Sequence, residues 1–453
     1  MAQIDEAIAR YHKILQSEPY KDLEWLPPLR ERMEAEDLSA GGRLLCPFLR
    51  PHFITRKQYD VLVKAGETLV CAVDRMQHLV LSNPALMNRL ELLPAEKMLA
   101  AIDPGYKALE VTCRLDLSVA NGSLHLVQYN ADSPAGVAWA EGLSDIFYGA
   151  PPVKEFRKKH SLSKVPGKKH LLSALLGVYR QFRHGAGKPR IAILEFRSGV
   201  SSTIPSEFAL FREFFQKEGY EAELVSPDQL EFRNGVLRRG SFNIDLIYRR
   251  ISVQEFLQRF DLSHPLVQAY RSKAVCMVNS FRSELAHKKA FLALLTDETL
   301  TAKFPIAERR AIQEHVPWTR LVQNGKTTYN NQPIDLQEFI LANREKLVLK
   351  PNDEYSGENS FYGLDMDDAG WDRALRQALR TPYVVQERVK LATSLFPMER
   401  FGPIEFQEMR VDLQLQAYMG RVQGCASWLS SGSPGGFSST SGLVPTFILE
   451  SGK

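Results

Sequence analysis

From residue 112 the chain alternates between apolar and polar positions. In "CRLDLSVA", Leu115, Leu117 and Val119 interleave with Arg114, Asp116 and Ser118, the period-two pattern of a half-buried strand. Asn121-Gly122 predicts a turn, and a second strand runs through Leu126 to Tyr129. Residues 1 to about 108 read mainly as helices, for example around Lys57–Leu79 and Pro94–Ile102, and Val137–Phe147 after the hairpin also reads as helical. From Lys188 the texture changes. "PRIAILEF" is a buried-type strand, Pro205–Gly219 a helix and "YEAELV" a strand; a hairpin around "FRNGVLRRG" precedes "IDLIYRR" and "AVCMVNSF". Strands alternating with helices predict a small α/β unit with a parallel sheet. "SELAHKKAFLALLTDE" (283–298) predicts one helix. The last third predicts the strand "EKLVLK", a polar loop "PNDEYSGENSFYG", the helix "DAGWDRALRQAL", the strand "YVVQERV", and long strands through "EMRVDLQLQAYMGRVQGCASWL".

Composition narrows the class. A chain of 453 residues, 44% apolar and 24% charged, buries a large core and divides into two to four lobes. A net charge of +4 is too small to imply a nucleic-acid or membrane partner. The five scattered cysteines form no CxxC pair, which points to reduced thiols and a cytoplasmic setting. The amphipathic N-terminus lacks the form of a signal peptide, and no run reaches the roughly 18 apolar residues of a membrane span. The basic stretch 154–170 reads as a solvated linker or exposed helix end, with a channel for a polyanion as the alternative. Gly199 is followed by no dinucleotide fingerprint. Gly325-Lys326-Thr327 lacks the glycine a phosphate loop needs at position 320, which is Arg320, so Asn324-Gly325 reads as a hairpin turn.

Three features carry chemistry. An apolar strand delivers Lys350 to its end, where a loop with Gly357 and Gly363 lets backbone N–H groups approach an anion. The strand "YVVQERV" turns abruptly polar and offers Gln386, Glu387 and backbone groups to a base edge. The hairpin has two registers. A two-residue turn pairs Asp116 with Val127 and splits the polar groups between faces; a three-residue Asn121–Ser123 turn with a bulge pairs Asp116 with Gln128 and Arg114 with Asn130. Only the second gathers four polar groups on one face, where Asp116, Gln128 and Asn130 offer oxygens to a hard cation such as Mg²⁺.

Together with "NSFRSELAHKKAFLALLTDE", "PWTR", "LVLKPN…SG…G" and "YVVQERV", this hairpin resembles the ATP-grasp superfamily, specifically its circularly permuted branch similar to glutathionylspermidine synthase. Arg114, Asp116, Gln128, Asn130, Ala131 and Asp132 match the branch's R-x-D and E-x-N-A-D pattern, with glutamine in the place of glutamate. The resemblance implies an α/β (α+β) fold in four parts: an N-terminal helical region (1–108), a permuted ATP-grasp segment with the metal-side hairpin (109–187), a parallel α/β pre-ATP-grasp domain (188–282) and the nucleotide-binding lobes (283–453). It implies an ATP-dependent carboxylate–amine ligase working through an acyl phosphate on small-molecule or peptide acids and amines.

Carried over by residue, the resemblance puts Lys350 on nucleotide phosphates with Lys289 or Lys288 as second lysine. Asn352, Ser356 and Gly357 would lie around the triphosphate, Gln386, Glu387 and the backbone near Val389 would face adenine, and Arg114 would act at the acyl-transfer centre. Asp116, Gln128 and Asn130 would hold Mg²⁺. Two departures stand out. Gln128 removes a negative charge, and an arginine and an Asn-containing glycine loop are missing near Trp428 and "GGFSSTSG". Arg410 in "MRVDL" is one possible compensation, but Arg410 and Asp412 read first as the outward side of a strand. The departures leave a non-catalytic nucleotide-binding or scaffold protein as the alternative, and a ligase using RNA or a carrier-borne peptide through 154–170 as a third. Arg249, Arg250 and Arg282 are candidate carboxylate binders or, equally, structural ion-pair partners.

Overall fold

A computed structural model describes residues 2–40, 42–120, 122–183, 187–196, 206–354, 359–399, 402–431 and 441–450. The N-terminal region is helical up to Pro94–Ala101, with one long helix, α1 (Arg56–Ser82). It begins at a capping box: Gln58 N donates to Thr55 Oγ1 at 3.2 Å, and Thr55 N donates to Gln58 Oε1 at 2.8 Å. Leu62, Leu69, Val73, Met76 and Val80 recur on its buried stripe.

The predicted hairpin follows as β1 (Thr112–Ala120) and β2 (Ser123–Asn130). After it, four short strands form the expected parallel sheet, in the order Cys276–Val278, Leu246–Arg249, Ile191–Leu194, Ala222–Val225. Then β3 (Leu347–Pro351) and β4 (Tyr383–Glu387) pair antiparallel at the centre of a four-stranded sheet flanked by Thr319–Leu321 and Phe361–Tyr362. The long β5 (Ile404–Tyr418) returns to the hairpin, pairing with β1 on one side and Arg421–Ser430 on the other. These strands belong to an eight-stranded sheet that continues through Gly442–Leu449 to His52–Thr55.

One face of that large sheet is apolar and lies on α1. Leu115, Leu117, Leu413 and Leu415 join Leu62, Leu69 and Val73 in a single cluster. Gly66 sits where a Cβ would meet Leu415 and Val422 at 3.2 Å, so the helix backbone lies close on β5. The other face carries the polar alternates and looks toward β3 and β4.

Three expectations change. The pairing of Asp116 with Gln128 and Arg114 with Asn130 is present, but the turn that makes it is not the three-residue one. Ala120 pairs with Ser123, the two-residue register, and a bulge inserts Val127 between the Asp116–Gln128 and Leu117–Leu126 pairs. The 283–298 segment is not one helix. It breaks between Glu284–His287 and Ala290–Leu295, because Lys289 N donates to Asn352 O and Ala290 N to Asn352 Oδ1 instead of continuing the helical ladder. The strand after Gly325 hairpins onward: Lys326–Tyr329 pairs with Gln332–Asp335 through Asn330-Asn331, both at positive φ, so Asn324-Gly325 is not that hairpin's turn. No helix among the described residues is long and apolar enough to cross a membrane, and all five cysteines are free thiols.

Candidate active site

A cleft of about 530 Å³ lies between the β3–β4 face and the polar face of the large sheet, a size suited to a nucleotide-like ligand. On β3, Val348 and Lys350 point into it, while Leu347 and Leu349 pack into the core behind. Lys350 Nζ donates to Gln386 Oε1 at 2.7 Å and to Val127 O at 3.5 Å, so the bulge in the hairpin meets the lysine directly. Burial and the nearby Lys289 charge hold the Lys350 ammonium down to about 8. Gln386 is itself fixed by donating from Nε2 to Thr319 Oγ1 at 2.9 Å. Glu387 accepts from the Tyr329 hydroxyl at 2.6 Å, and Glu387 and Val389 continue the cleft wall past the end of β4. A smaller recess beside it is lined by Gln128, Lys289, Lys350 and Gln386, bringing hairpin, helix break and small sheet together.

On the hairpin, Arg114 grips Asp116 with two parallel hydrogen bonds, 2.7 Å from Nε to Oδ1 and 2.9 Å from the second guanidinium nitrogen to Oδ2. Asn130 Nδ2 adds a third to Asp116 Oδ2 at 3.0 Å, and Gln128 Nε2 donates to Asn130 Oδ1 at 2.8 Å. The four expected polar residues thus form one chain of hydrogen bonds. Asp412, read from sequence as outward-facing, is buried on the same face, because Gln414 pairs with Asp116 across β5 and β1. Burial and the Asp116 charge push its carboxyl up to about 7. Arg410 lines the cleft as well. The repeated R-x-D in "MRVDL" was the only sequence signal for either.

The donors suit a divalent cation. Asp116 and Asp412 are two carboxyls on one sheet face, near enough to act on each other, and Asp412 Oδ1 is buried with no hydrogen-bond partner among the described residues.

Other candidates are committed elsewhere. Asn352 is buried, accepting from Ala290 N at 2.8 Å and donating to Leu90 O at 2.9 Å, so it fixes the helix break and does not face the cleft. Lys288 lies among Glu96 (2.9 Å), Glu284 (2.8 Å) and Asp353, which leaves Lys289 as the lysine of the recess. Lys289 Nζ donates to Glu354 O at 2.5 Å, and burial holds its ammonium down to about 8. Ser356 and Gly357 lie outside the described residues.

Arg249 is buried against Asp132 and donates to Asn279 O and Ile251 O. Arg250 is buried against Glu207 at 3.3 Å, and Arg282 donates to Ala100 O at 3.2 Å. The first two are therefore structural, and Asp132 at the end of the hairpin motif is a clamp onto the parallel sheet. Asn279 completes that clamp, donating to Thr112 O at 2.7 Å and Ala131 O at 2.6 Å.

No protein-family model and no curated protein matches the chain. Among solved structures it is similar to a glutathione synthetase-like effector from Globodera pallida in its apo form, at 13% identity and a TM-score of 0.60, covering 94% of this chain and 97% of that one. It is also similar to a putative gamma-glutamylcysteine synthetase from Methylobacillus flagellatus KT, at 11% identity, 86% and 87% coverage and a TM-score of 0.41. The chain shares the overall fold of that effector.

Proposed function

We propose that the protein is an ATP-dependent carboxylate–amine ligase of the circularly permuted ATP-grasp type, acting in the cytoplasm on small-molecule or peptide substrates. The observation that carries this reading is that Lys350, Gln386 and Arg410 line one cleft, with Asp412 beside it under the charges of both Lys350 and the Arg114–Asp116 pair. Lys350 and Lys289 are partly buried and held by hydrogen bonds, so phosphate oxygens entering the cleft would meet two preorganised cations. Val127 and Val348 give the adenine ring apolar walls, and Gln386, Glu387 and the backbone around Val389 give its edge polar partners. Asp116, Gln128 and Asn130 would face Mg²⁺, which when bound neutralises charge on the phosphate oxygens.

In the first step a substrate carboxylate oxygen bonds to the γ-phosphorus and the bond to the β-phosphate oxygen breaks, releasing ADP. In the second an amine bonds to the acyl carbon and phosphate leaves. Arg114, held in one orientation by Asp116, would stabilise the oxyanion of that step. A nucleotide-binding protein without turnover is the second reading, favoured by neutral Gln128 and by the three hydrogen bonds that already engage Asp116.

Thermal shift with ATP, followed by ADP release in the presence of panels of acids and amines, separates these readings. The ligase predicts an ATP shift in the wild type, at least tenfold weaker ATP binding in Lys350→Ala, and acid-dependent ADP release. A shift without ADP release selects the second reading; no shift with ATP and Mg²⁺ sinks both.

A further inference from the structure

We propose that Asp412 supplies the second anionic oxygen of a divalent-cation site shared with Asp116, in the place that an acidic residue at position 128 would otherwise fill. This rests on the nucleotide-site reading above and says which side chain completes that site.

Charge is the first reason. Arg114 and Asp116 form a closed pair of zero net charge, while Gln128 and Asn130 are neutral and hydrogen-bonded to one another. The hairpin alone therefore presents oxygens but no net charge to a dication. Adding Asp412 makes the set anionic.

Placement is the second. Gln414 stands opposite Asp116 and Leu413 opposite Leu117, so Asp412 lies one alternation further along the same face. The charges acting on it are those of Asp116, Arg410, Lys350 and Arg114, all groups of the cleft and hairpin.

The third reason is the unmet acceptor. Asp412 is 7% exposed, and its Oδ1 is buried without a hydrogen-bond partner among the described residues. A buried carboxylate oxygen without a donor is unfavourable unless the carboxyl takes a proton or a cation completes it. Asp116, by contrast, already accepts three hydrogen bonds. A hard cation with oxygen ligands, Mg²⁺ or Mn²⁺, matches this set.

The test uses the full chain and two readouts that do not require turnover: Mn²⁺ binding followed by EPR, and ATP affinity by calorimetry in EDTA and in Mg²⁺. In the wild type, Mg²⁺ is expected to tighten ATP binding at least tenfold. Asp412→Asn is expected to lose that tightening and at least tenfold in Mn²⁺ affinity, while keeping ATP binding in EDTA, which also shows that the variant is folded. Adding Gln128→Glu to Asp412→Asn is expected to restore Mn²⁺ binding. Undiminished Mn²⁺ affinity and Mg²⁺ dependence in Asp412→Asn overturn the assignment while leaving the nucleotide site intact. Absence of ATP binding by the wild type in both buffers overturns the nucleotide reading instead.

Discussion

Lys288 and Lys350 are both lysines in the interior beside the same cleft, and the protein treats them in opposite ways. Lys288 has three carboxylates around it, those of Glu96, Glu284 and Asp353, whose oxygens all lie within 4.8 Å of one another. Despite burial its pKa is raised, because those carboxylates favour the ammonium. Lys350 meets the neutral oxygens of Gln386 and Val127, and burial holds its pKa down to about 8. The first charge is compensated by the fold itself. The second is left to whatever enters the cleft. Asp412 repeats the lesson with the other sign, since its first charged neighbour is another carboxyl, that of Asp116. Of the two lysines, the compensated one belongs to the frame of this molecule and the uncompensated one lines its cleft.

The most damaging way to break the comparison is Lys288→Met. It leaves three buried carboxylates without their cation, and a loss of about 3–5 kcal/mol is expected in urea unfolding. A loss below about 1 kcal/mol would mean that the cluster is not the frame it resembles.

Lys350→Met tests the opposite pole. Because the folded-state pKa lies below the unfolded value of about 10.4, the unfolded chain binds more protons between these two values. The cost of burying the ammonium is therefore full below about pH 8 and vanishes as pH rises toward 10. Lys350→Met without nucleotide is expected to melt higher than the wild type at pH 7, with the difference closing by pH 10. A lower melting temperature at pH 7 would place Lys350 in the frame.

The smallest effect sharpens the boundary. Lys158 forms an exposed ion pair with Glu155 in the basic stretch, and Lys158→Ala is expected to leave the melting temperature without a resolvable change at any salt concentration. A resolvable change would show that surface pairs also belong to the frame.

Much of this was legible in the chain. Alternation marked β1 and β5, the apolar run before Lys350 marked β3, and the strand–helix alternation marked the parallel sheet. The helix break at Lys288–Lys289 was hidden, because good helix formers run through 283–298 and the residue that interrupts them, Asn352, is far along the chain. The bulge at Val127 was hidden for a related reason. Both registers satisfy the local pattern on one strand, and the choice depends on β5 and on Lys350 across the cleft.

The sequence by itself determined which side chains share a strand face, since the pleat has period two and needs no information from elsewhere. That placed Arg114 with Asp116, and Arg410 with Asp412. Only the tertiary structure decided what stands opposite each face. Arg249 and Arg250 were matched with Asp132 and Glu207 and withdrawn from the site, whereas Asp412 was turned inward toward Asp116. The physical reason is that a buried charge takes its state from its partners, and here those partners come from other segments, 43 residues away for Arg250 and Glu207 and 117 for Arg249 and Asp132.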